Sequence, residues 1–120
     1  MDRYEAGMKV RREVLGDEHV DRATAKANDF SRPFQEFITR VAWGEAWTSE
    51  VLDRRTRSCI TLAILTALRA ENEIAMHVRA ALRNGLTPDE IREVLMHTAI
   101  YAGVPAANSA IAIAQSVLDE

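Results

Sequence analysis

The stretch from Trp43 to Arg57 concentrates side chains suited to binding an anionic organic molecule. Glu45 stands between Trp43 and Trp47, and Arg54 and Arg57 follow at the start of an apolar stretch. Binding pockets form where apolar walls meet a few convergent polar groups. The pattern therefore predicts a small-molecule site. The alternative is that the tryptophans fill a core and the arginines face water.

Two of the three histidines lie at the edges of predicted helix faces. His77 borders an apolar stripe one turn beyond Glu73, and His97 lies one turn before Tyr101. A histidine at such an edge is partly desolvated, and imidazole changes charge near neutral pH. His77 is therefore a candidate proton donor, with a structural histidine bonded to a carbonyl as the alternative. His19 is predicted to be exposed in a turn.

Motifs for several other chemistries are missing. The single cysteine, Cys59, has no partner for an intramolecular disulfide, and its apolar neighbours predict a buried, inert thiol. No serine sits in a glycine elbow, and the five glycines are isolated rather than grouped in a phosphate-binding loop. Only Glu73 lies at ligand spacing from His77, and two ligands on one helix do not complete a zinc site. The sequence therefore predicts no metal and no organic cofactor.

Composition and charge describe a globular domain. A chain of 120 residues with 48% hydrophobic and 28% charged residues can bury one core. The net charge is −3, and the 15 lysines and arginines are dispersed, which argues against nucleic-acid binding. The longest apolar stretch, residues 60–68, is shorter than the ~20 residues that span a bilayer, and the N-terminus does not resemble a signal peptide. We therefore expect a cytoplasmic protein without a membrane or nucleic-acid partner.

Hydrophobic periodicity predicts helices throughout, so the expected fold class is all-α. The fourth helix is expected to be buried, because residues 59–68 are apolar on nearly every face. We predict one domain over residues 1–120, with an N-terminal helical arm (1–44) and two antiparallel hairpins in the core (45–120). The predicted elements are a helix over 4–15, a turn at 17–22 followed by a weakly amphipathic segment to Phe30, and helices from Ser31 to Gly44, from Leu52 to Leu68, over 71–84 up to Gly85, from the capping box Thr87–Glu90 to about Ala102, and over 106–118, the last with an alanine-rich face.

Three segments carry a family resemblance: Leu52–Ser58, His77–Gly85 and Thr87–Leu95. Together they resemble the carboxymuconolactone decarboxylase family. The similarity extends over nearly the whole chain, through Arg3–Met8, Val14–Arg22, Trp43–Trp47 and Tyr101–Ala107. The resemblance implies the AhpD-like fold, a helical domain of about six to seven helices. It also implies a ring-like homo-oligomer, a hexamer.

The same resemblance implies the activity of the 4-carboxymuconolactone decarboxylases. These enzymes convert a carboxylated lactone to β-ketoadipate enol-lactone in protocatechuate catabolism, without a cofactor. Such a reaction needs cations for carboxylates, an acid, and a site that excludes water. The roles implied for the residues of this chain are proton donation by His77, with Glu45 or Glu73 as its partner, carboxylate binding by Arg57 and Arg54, apolar walls from Trp43 and Trp47, and further substrate contacts from Tyr101 and His97.

Peroxidase members of the family use a glutamate, a CxxC pair and a histidine. Counted back from His77, the cysteines would fall at Ala70 and Glu73 and the glutamate at Ser58. Thiol peroxidase chemistry needs two thiols within bridging reach, so this activity is excluded. The alternative function is a non-catalytic AhpD-like oligomer that binds a small organic acid as a sensor or accessory subunit.

Overall fold

The computed structural model describes residues 1–120 and contains seven α-helices, one π-helix and no β-strand, which confirms the all-α prediction. The elements are α1 (Arg3–Leu15), α2 (Asp17–Lys26), α3 (Arg32–Ile38), the π-helix (Thr39–Ala46), α4 (Arg54–Ala67), α5 (Glu71–Arg83), α6 (Pro88–Ala102) and α7 (Val104–Leu118). None of them combines the length and apolarity needed to span a bilayer. The chain divides into an N-terminal unit, residues 1–53, and a C-terminal unit, residues 54–120. The single domain with an arm over 1–44 stays a prediction.

The C-terminal unit has an apolar core built by α4 to α7. Ile74 and Val78 are buried on α5, and Ile91 and Leu95 on α6, each pair at the spacing of one helical turn. Leu62 of α4 completes the same cluster. The alanine-rich face of α7 also lies inside this unit, where it buries Ala106, Ala107, Ala110 and Ala114.

Helix ends in the C-terminal unit follow the local sequence signals. Gly85 lies just beyond α5 with a φ of +97°, a conformation that disfavours a side chain. The predicted capping box is present, because the Thr87 hydroxyl accepts the Glu90 N–H at 3.1 Å and the Glu90 carboxylate accepts the Thr87 N–H at 2.9 Å. α7 begins at Val104 rather than at residue 106, since Pro105 fits the first turn of a helix.

The prediction that α4 is buried all round is wrong. Leu62 is fully buried, but Ile60, Ile64 and Leu68 are 42%, 51% and 74% exposed. One face of α4 packs on its neighbours and the opposite face has no covering element within the C-terminal unit. Cys59 is only partly buried, so the prediction of a buried thiol is also wrong. The helix starts at Arg54 rather than at residue 52.

In the N-terminal unit, α1 and the π-helix meet through their backbones. A Cβ atom on Gly7 would lie 2.1 Å from the Thr39 carbonyl oxygen, and one on Gly44 would lie 2.6 Å from the Arg3 carbonyl oxygen. Both positions therefore require glycine. The prediction that Gly44 ends a helix is wrong, because the chain continues through Gly44 to Ala46 with π-helical hydrogen bonds.

The predicted turn at residues 17–22 is also wrong, because α2 begins at Asp17. Asp17 and Glu18 occupy its first turn, where carboxylates interact favourably with the positive end of the helix dipole. His19 consequently lies within a helix and is partly buried rather than exposed in a turn. Helix α3, in contrast, has no buried residue, and Phe34 and Phe37 on it are 62% and 52% exposed.

Candidate active site

The two tryptophans are brought together at the end of the π-helix. The ring centroids of Trp43 and Trp47 lie 5.2 Å apart with the planes inclined by 31°. Trp43 is 5% exposed, whereas Trp47 is only partly buried. π-Helical turns are rare and are often found at functional sites. The pair can offer an apolar aromatic wall, and the buried position of Trp43 also makes it part of the packing of its own unit.

Glu45 lies on the same π-helical segment but faces solvent. Its carboxylate is 53% exposed and forms an ion pair with Arg3 at 3.3 Å. An exposed pair of this kind contributes at most about 1 kcal/mol to stability. The N-terminal unit therefore holds Glu45 through an exchangeable contact with α1, which leaves the carboxylate accessible.

Arg54 and Arg57 occupy the first turn of α4, three residues apart and thus on the same side of the helix. Both side chains are partly buried. A guanidinium group in a partly desolvated setting presents a fork of donors that matches a carboxylate. This placement agrees with the side-by-side arrangement predicted for the two cations.

His77 lies on α5 at the edge of the buried stripe, as the helical periodicity indicated. Its neighbours Ile74 and Val78 are 1% and 0% exposed, while His77 itself is partly buried and Glu73 is exposed. The imidazole is therefore positioned where it touches the core and still reaches the surface of the unit. Such a position suits a group that must exchange protons with solvent.

Ser58 occupies the position where the peroxidase relay has its glutamate. It is 2% exposed, and its hydroxyl oxygen accepts a hydrogen bond from the Asn84 side-chain amide at 2.9 Å. A buried serine bonded to an amide cannot supply the carboxylate of that relay. The contact ties the start of α4 to the end of α5.

His97 and Tyr101 form a second aromatic pair, on α6. Their ring centroids are 5.3 Å apart, and Tyr101 is 82% exposed. His97 also lines an open pocket of about 410 Å³ between α4 and α6, whose wall includes Cys59, Ile60 and Glu93. His77 is not part of that lining. His97 and His77 therefore lie on different helices and in different environments.

Arg55 has a positioning role that the sequence did not indicate. Its guanidinium group donates hydrogen bonds to the Gly85 carbonyl and to the Glu90 carboxylate. These contacts join the first turn of α4, which carries Arg54 and Arg57, to the turn after α5 and to the first turn of α6. The partners lie 30 and 35 residues away in sequence, so no local pattern could reveal them.

No group of three or more histidine, cysteine, aspartate or glutamate side chains is arranged to hold a metal ion. The groups that the structure offers for chemistry are thus the partly buried imidazole of His77, the guanidinium pair on α4, and the aromatic pairs. These groups can bind an organic anion and move a proton.

The all-helical fold, with seven α-helices, fits the AhpD-like class of helical proteins. Residues 32–116 match the Carboxymuconolactone decarboxylase family. Since this match covers more than half of the sequence, the chain belongs to that family.

Three relatives refine the comparison. A 4-carboxymuconolactone decarboxylase of Acinetobacter baylyi is 48% identical over 118 residues, which cover 98% of this chain and 88% of that protein. The nitrosuccinic acid decarboxylase of Metarhizium robertsii is 41% identical over 117 residues, covering 98% of this chain and 82% of that protein. A 4-carboxymuconolactone decarboxylase sequence of Pseudomonas putida is 65% identical over 43 residues, covering 36% of this chain and 90% of that sequence. All three carry decarboxylase names.

Proposed function

We propose that this chain decarboxylates 4-carboxymuconolactone to β-ketoadipate enol-lactone in the catabolism of protocatechuate. The observation that carries the proposal is the 48% identity to the Acinetobacter baylyi enzyme over 98% of this chain. Family membership alone would not select a reaction, because one fold can host several activities. The match over nearly the whole length supports the same reaction in this chain.

The reaction places few demands on the protein. The bond between the carboxylate carbon and the ring breaks, and its electron pair moves through the conjugated C=C bond onto the lactone carbonyl oxygen. Carbon dioxide leaves, and the resulting dienolate is protonated on carbon. The protein must hold the remaining carboxylate, stabilise the developing oxyanion and deliver one proton.

We assign the proton donor to His77. The partial burial of this imidazole beside Ile74 and Val78, and its place on a helix of the well-packed C-terminal unit, support the assignment. Glu45 and Glu73 remain the proposed proton-shuttle or hydrogen-bond partners. Glu73 is one helical turn away, whereas Glu45 would exchange its ion pair with Arg3 for this role.

Carboxylate binding is assigned to Arg57 and Arg54. Their common side of α4 and partial burial support a two-pronged clamp, because charge-assisted hydrogen bonds strengthen as water is excluded. Arg55 acts as a positioning residue, since its contacts with Gly85 and Glu90 hold this turn in place.

Four aromatic side chains complete the proposed substrate contacts. Trp43 and Trp47 are proposed as apolar walls, in keeping with their 5.2 Å ring contact. His97 and Tyr101 are proposed as further binding residues: His97 lines a pocket that has room for a ligand, and the Tyr101 ring contacts His97. Because Tyr101 is 82% exposed, we expect it to contribute less to substrate binding than the partly buried Arg54 and Arg57.

A second candidate substrate is nitrosuccinate, favoured by the 41% identity to the Metarhizium robertsii enzyme over 98% of this chain. Nitrosuccinate shares two features with the lactone. Each molecule carries two carboxylates, and each has a group that accepts the electrons released as carbon dioxide leaves: the nitro group in nitrosuccinate and the conjugated carbonyl in the lactone. The same cations and acid would therefore serve either substrate.

A carbon dioxide release assay with both substrates tests the proposal. We expect the lactone to be decarboxylated with the higher kcat/KM, and we expect activity to survive exhaustive dialysis against EDTA because the substrate accepts its own electrons. Preference for nitrosuccinate would favour the second candidate. Tight binding of either acid without carbon dioxide release would favour the non-catalytic sensor or accessory subunit.

The role of His77 is tested separately. His77→Gln should keep the helical circular dichroism while kcat falls roughly 10²-fold or more, the scale of a lost general acid. His19→Gln is the matched control, and Cys59→Ser should also keep the chemistry. Near-native turnover in His77→Gln would contradict the assignment and direct attention to Glu45 or His97.

We also propose that the chain assembles into a homo-oligomer, a hexamer as the family resemblance implies. Apolar side chains exposed along one face of α4 and just past its end support this, namely Ile60 at 42%, Ile64 at 51% and Leu68 at 74%. Contiguous exposed apolar groups commonly mark interfaces. Light scattering at micromolar concentration should report the oligomer, and Ile64→Arg should weaken it while preserving helicity. A stable wild-type monomer would contradict this proposal.

A further inference from the structure

Arg11 is a buried cation in the N-terminal unit. It lies on α1 and is only 6% exposed, which makes it the most buried charged residue of the chain. Removing a charge from water is costly unless an opposite charge and hydrogen bonds compensate for the loss of hydration. A carboxylate is therefore expected beside the guanidinium group.

The unit supplies only neutral partners for this group. Arg11 donates to the Thr39 hydroxyl oxygen at 3.2 Å and to the Gln35 side-chain oxygen at 2.9 Å. A guanidinium carries five N–H groups, and the buried Nε of Arg11 has no hydrogen-bond partner. Desolvation lowers the pKa of Arg11; the nearby Tyr4 acts in the opposite direction, and the Arg12 charge again lowers it. No carboxylate offsets the charge.

The adjacent residue shows the contrast. Arg12 forms ion pairs with Asp17 at 3.1 Å and with Asp21 at 2.9 Å, and hydrogen bonds to these carboxylates raise its pKa. Two arginines that are neighbours in sequence thus have opposite environments: one is exposed to acids and solvent, and the other is buried without an acid.

A pocket of about 110 Å³ opens beside Arg11. This volume exceeds what a single water molecule needs and can hold a small organic anion. Its wall includes Tyr4, Arg32 and Thr24, and its one acid is Glu36, which is exposed and forms no ion pair with Arg11. Two of its lining side chains are therefore cationic and one is anionic.

We propose that this pocket is a binding site for a small carboxylate anion from solution, held by the guanidinium group of Arg11. A carboxylate has the planar, two-oxygen geometry that the donor fork of arginine matches. The bound anion supplies the missing negative charge and stabilises the packing of α1 against α3 and the π-helix. None of the residues assigned to decarboxylation lines this pocket, so the site is separate from the proposed reaction.

Side-chain NMR of the full-length wild-type protein tests the site directly, with sodium acetate as the probe and sodium chloride at equal ionic strength as the reference. We expect the Nε–Hε resonance of Arg11 to shift with a saturable dependence on acetate, while that of Arg12 stays in place. A linear change without saturation, an equal response to chloride, or equal shifts at both arginines would overturn the proposal.

Thermal unfolding with and without acetate gives the second measurement. Acetate should raise the midpoint of the wild type and of the control variant Arg12→Met, and its affinity for Arg11→Met should fall roughly tenfold or more, as expected for a lost charge-assisted hydrogen bond. If Arg11→Met does not fold, the wild-type titration still decides. An Arg11 resonance that moves with protein concentration in the absence of acetate would assign the pocket to a carboxylate of a second copy and contradict binding of a free anion.

Discussion

In the C-terminal unit, α5 and α6 each pack against α4 and α7 through apolar side chains, whereas in the N-terminal unit α1 and the π-helix meet with no side chain at Gly7 and Gly44. Side-chain packing leaves room for graded adjustment, because neighbouring groups can shift into small spaces. Backbone contact leaves almost none. The difference implies that the unit carrying His77 tolerates small changes that the unit carrying Trp43 does not.

The largest stability effect is expected in the apolar core. Leu62→Ala should lower the free energy of unfolding by about 2–5 kcal/mol, because Leu62 is fully buried and its removal leaves a cavity. Asn72→Ala, on the exposed side of α5, should change it by less than about 0.5 kcal/mol. Urea denaturation measures both. Equal costs would contradict the placement of Leu62 in the stabilising core.

The backbone contact of the N-terminal unit is tested by Gly7→Ala. In an ordinary helix this change would stabilise by about 0.5–1 kcal/mol, since alanine is the better helix former. Here the new Cβ would meet the Thr39 carbonyl, so we expect destabilisation of about 1–3 kcal/mol. Lys9→Ala on the exposed side of α1 is the control. A stabilised Gly7→Ala protein would remove the contrast between the two units.

The capping box of α6 should have an intermediate effect. Thr87→Ala removes the acceptor for the Glu90 N–H and is expected to cost about 1 kcal/mol. Thr87→Ser keeps the hydroxyl group and should restore most of the loss in the same denaturation experiment. No difference between the two variants would mean that Arg55 and Gly85 fix this turn without the cap.

The smallest effect concerns acid sensitivity. The pKa of Glu90 lies below its ordinary value, chiefly because its carboxylate accepts the Thr87 N–H and further because the Arg55 charge is near. A lowered folded-state pKa means stability that is fully present above the unfolded-state pKa and is lost as the pH falls through the folded-state pKa. Glu90→Gln should therefore flatten the acid limb of a stability–pH curve. An unchanged acid limb would contradict this role.

Some of the proposed site residues could be predicted from the sequence, and others could not. His77, Arg54 and Arg57 were predicted from their helical positions together with the family resemblance, and the structure places the arginines in the first turn of α4 and the histidine at a core edge. Their roles in the reaction remain predictions. Arg55 was absent from the predicted site, because its contacts with Gly85 and Glu90 join segments that are far apart in sequence.

The sequence by itself determined the all-α class, most helix limits in the C-terminal half and the family. The end of α5 near Gly85 and the capping box at Thr87 are local features. Each depends on residues within one helical turn, so the neighbouring residues are enough to predict them. Family membership was likewise recognisable, because the motifs are spread along nearly the whole chain.

Only the tertiary structure decided which apolar faces are covered and which polar groups are partnered. Ile60 and Leu62 look alike in sequence, yet one is 42% exposed and the other is buried. Periodicity cannot tell a core face from a face left open, because both are apolar. The passage of the helix through Gly44 and the uncompensated charge of Arg11 also depend on contacts with distant segments. Burial depends on how the helices pack against one another. This packing gives Arg11 the buried position in which we propose that it binds an anion.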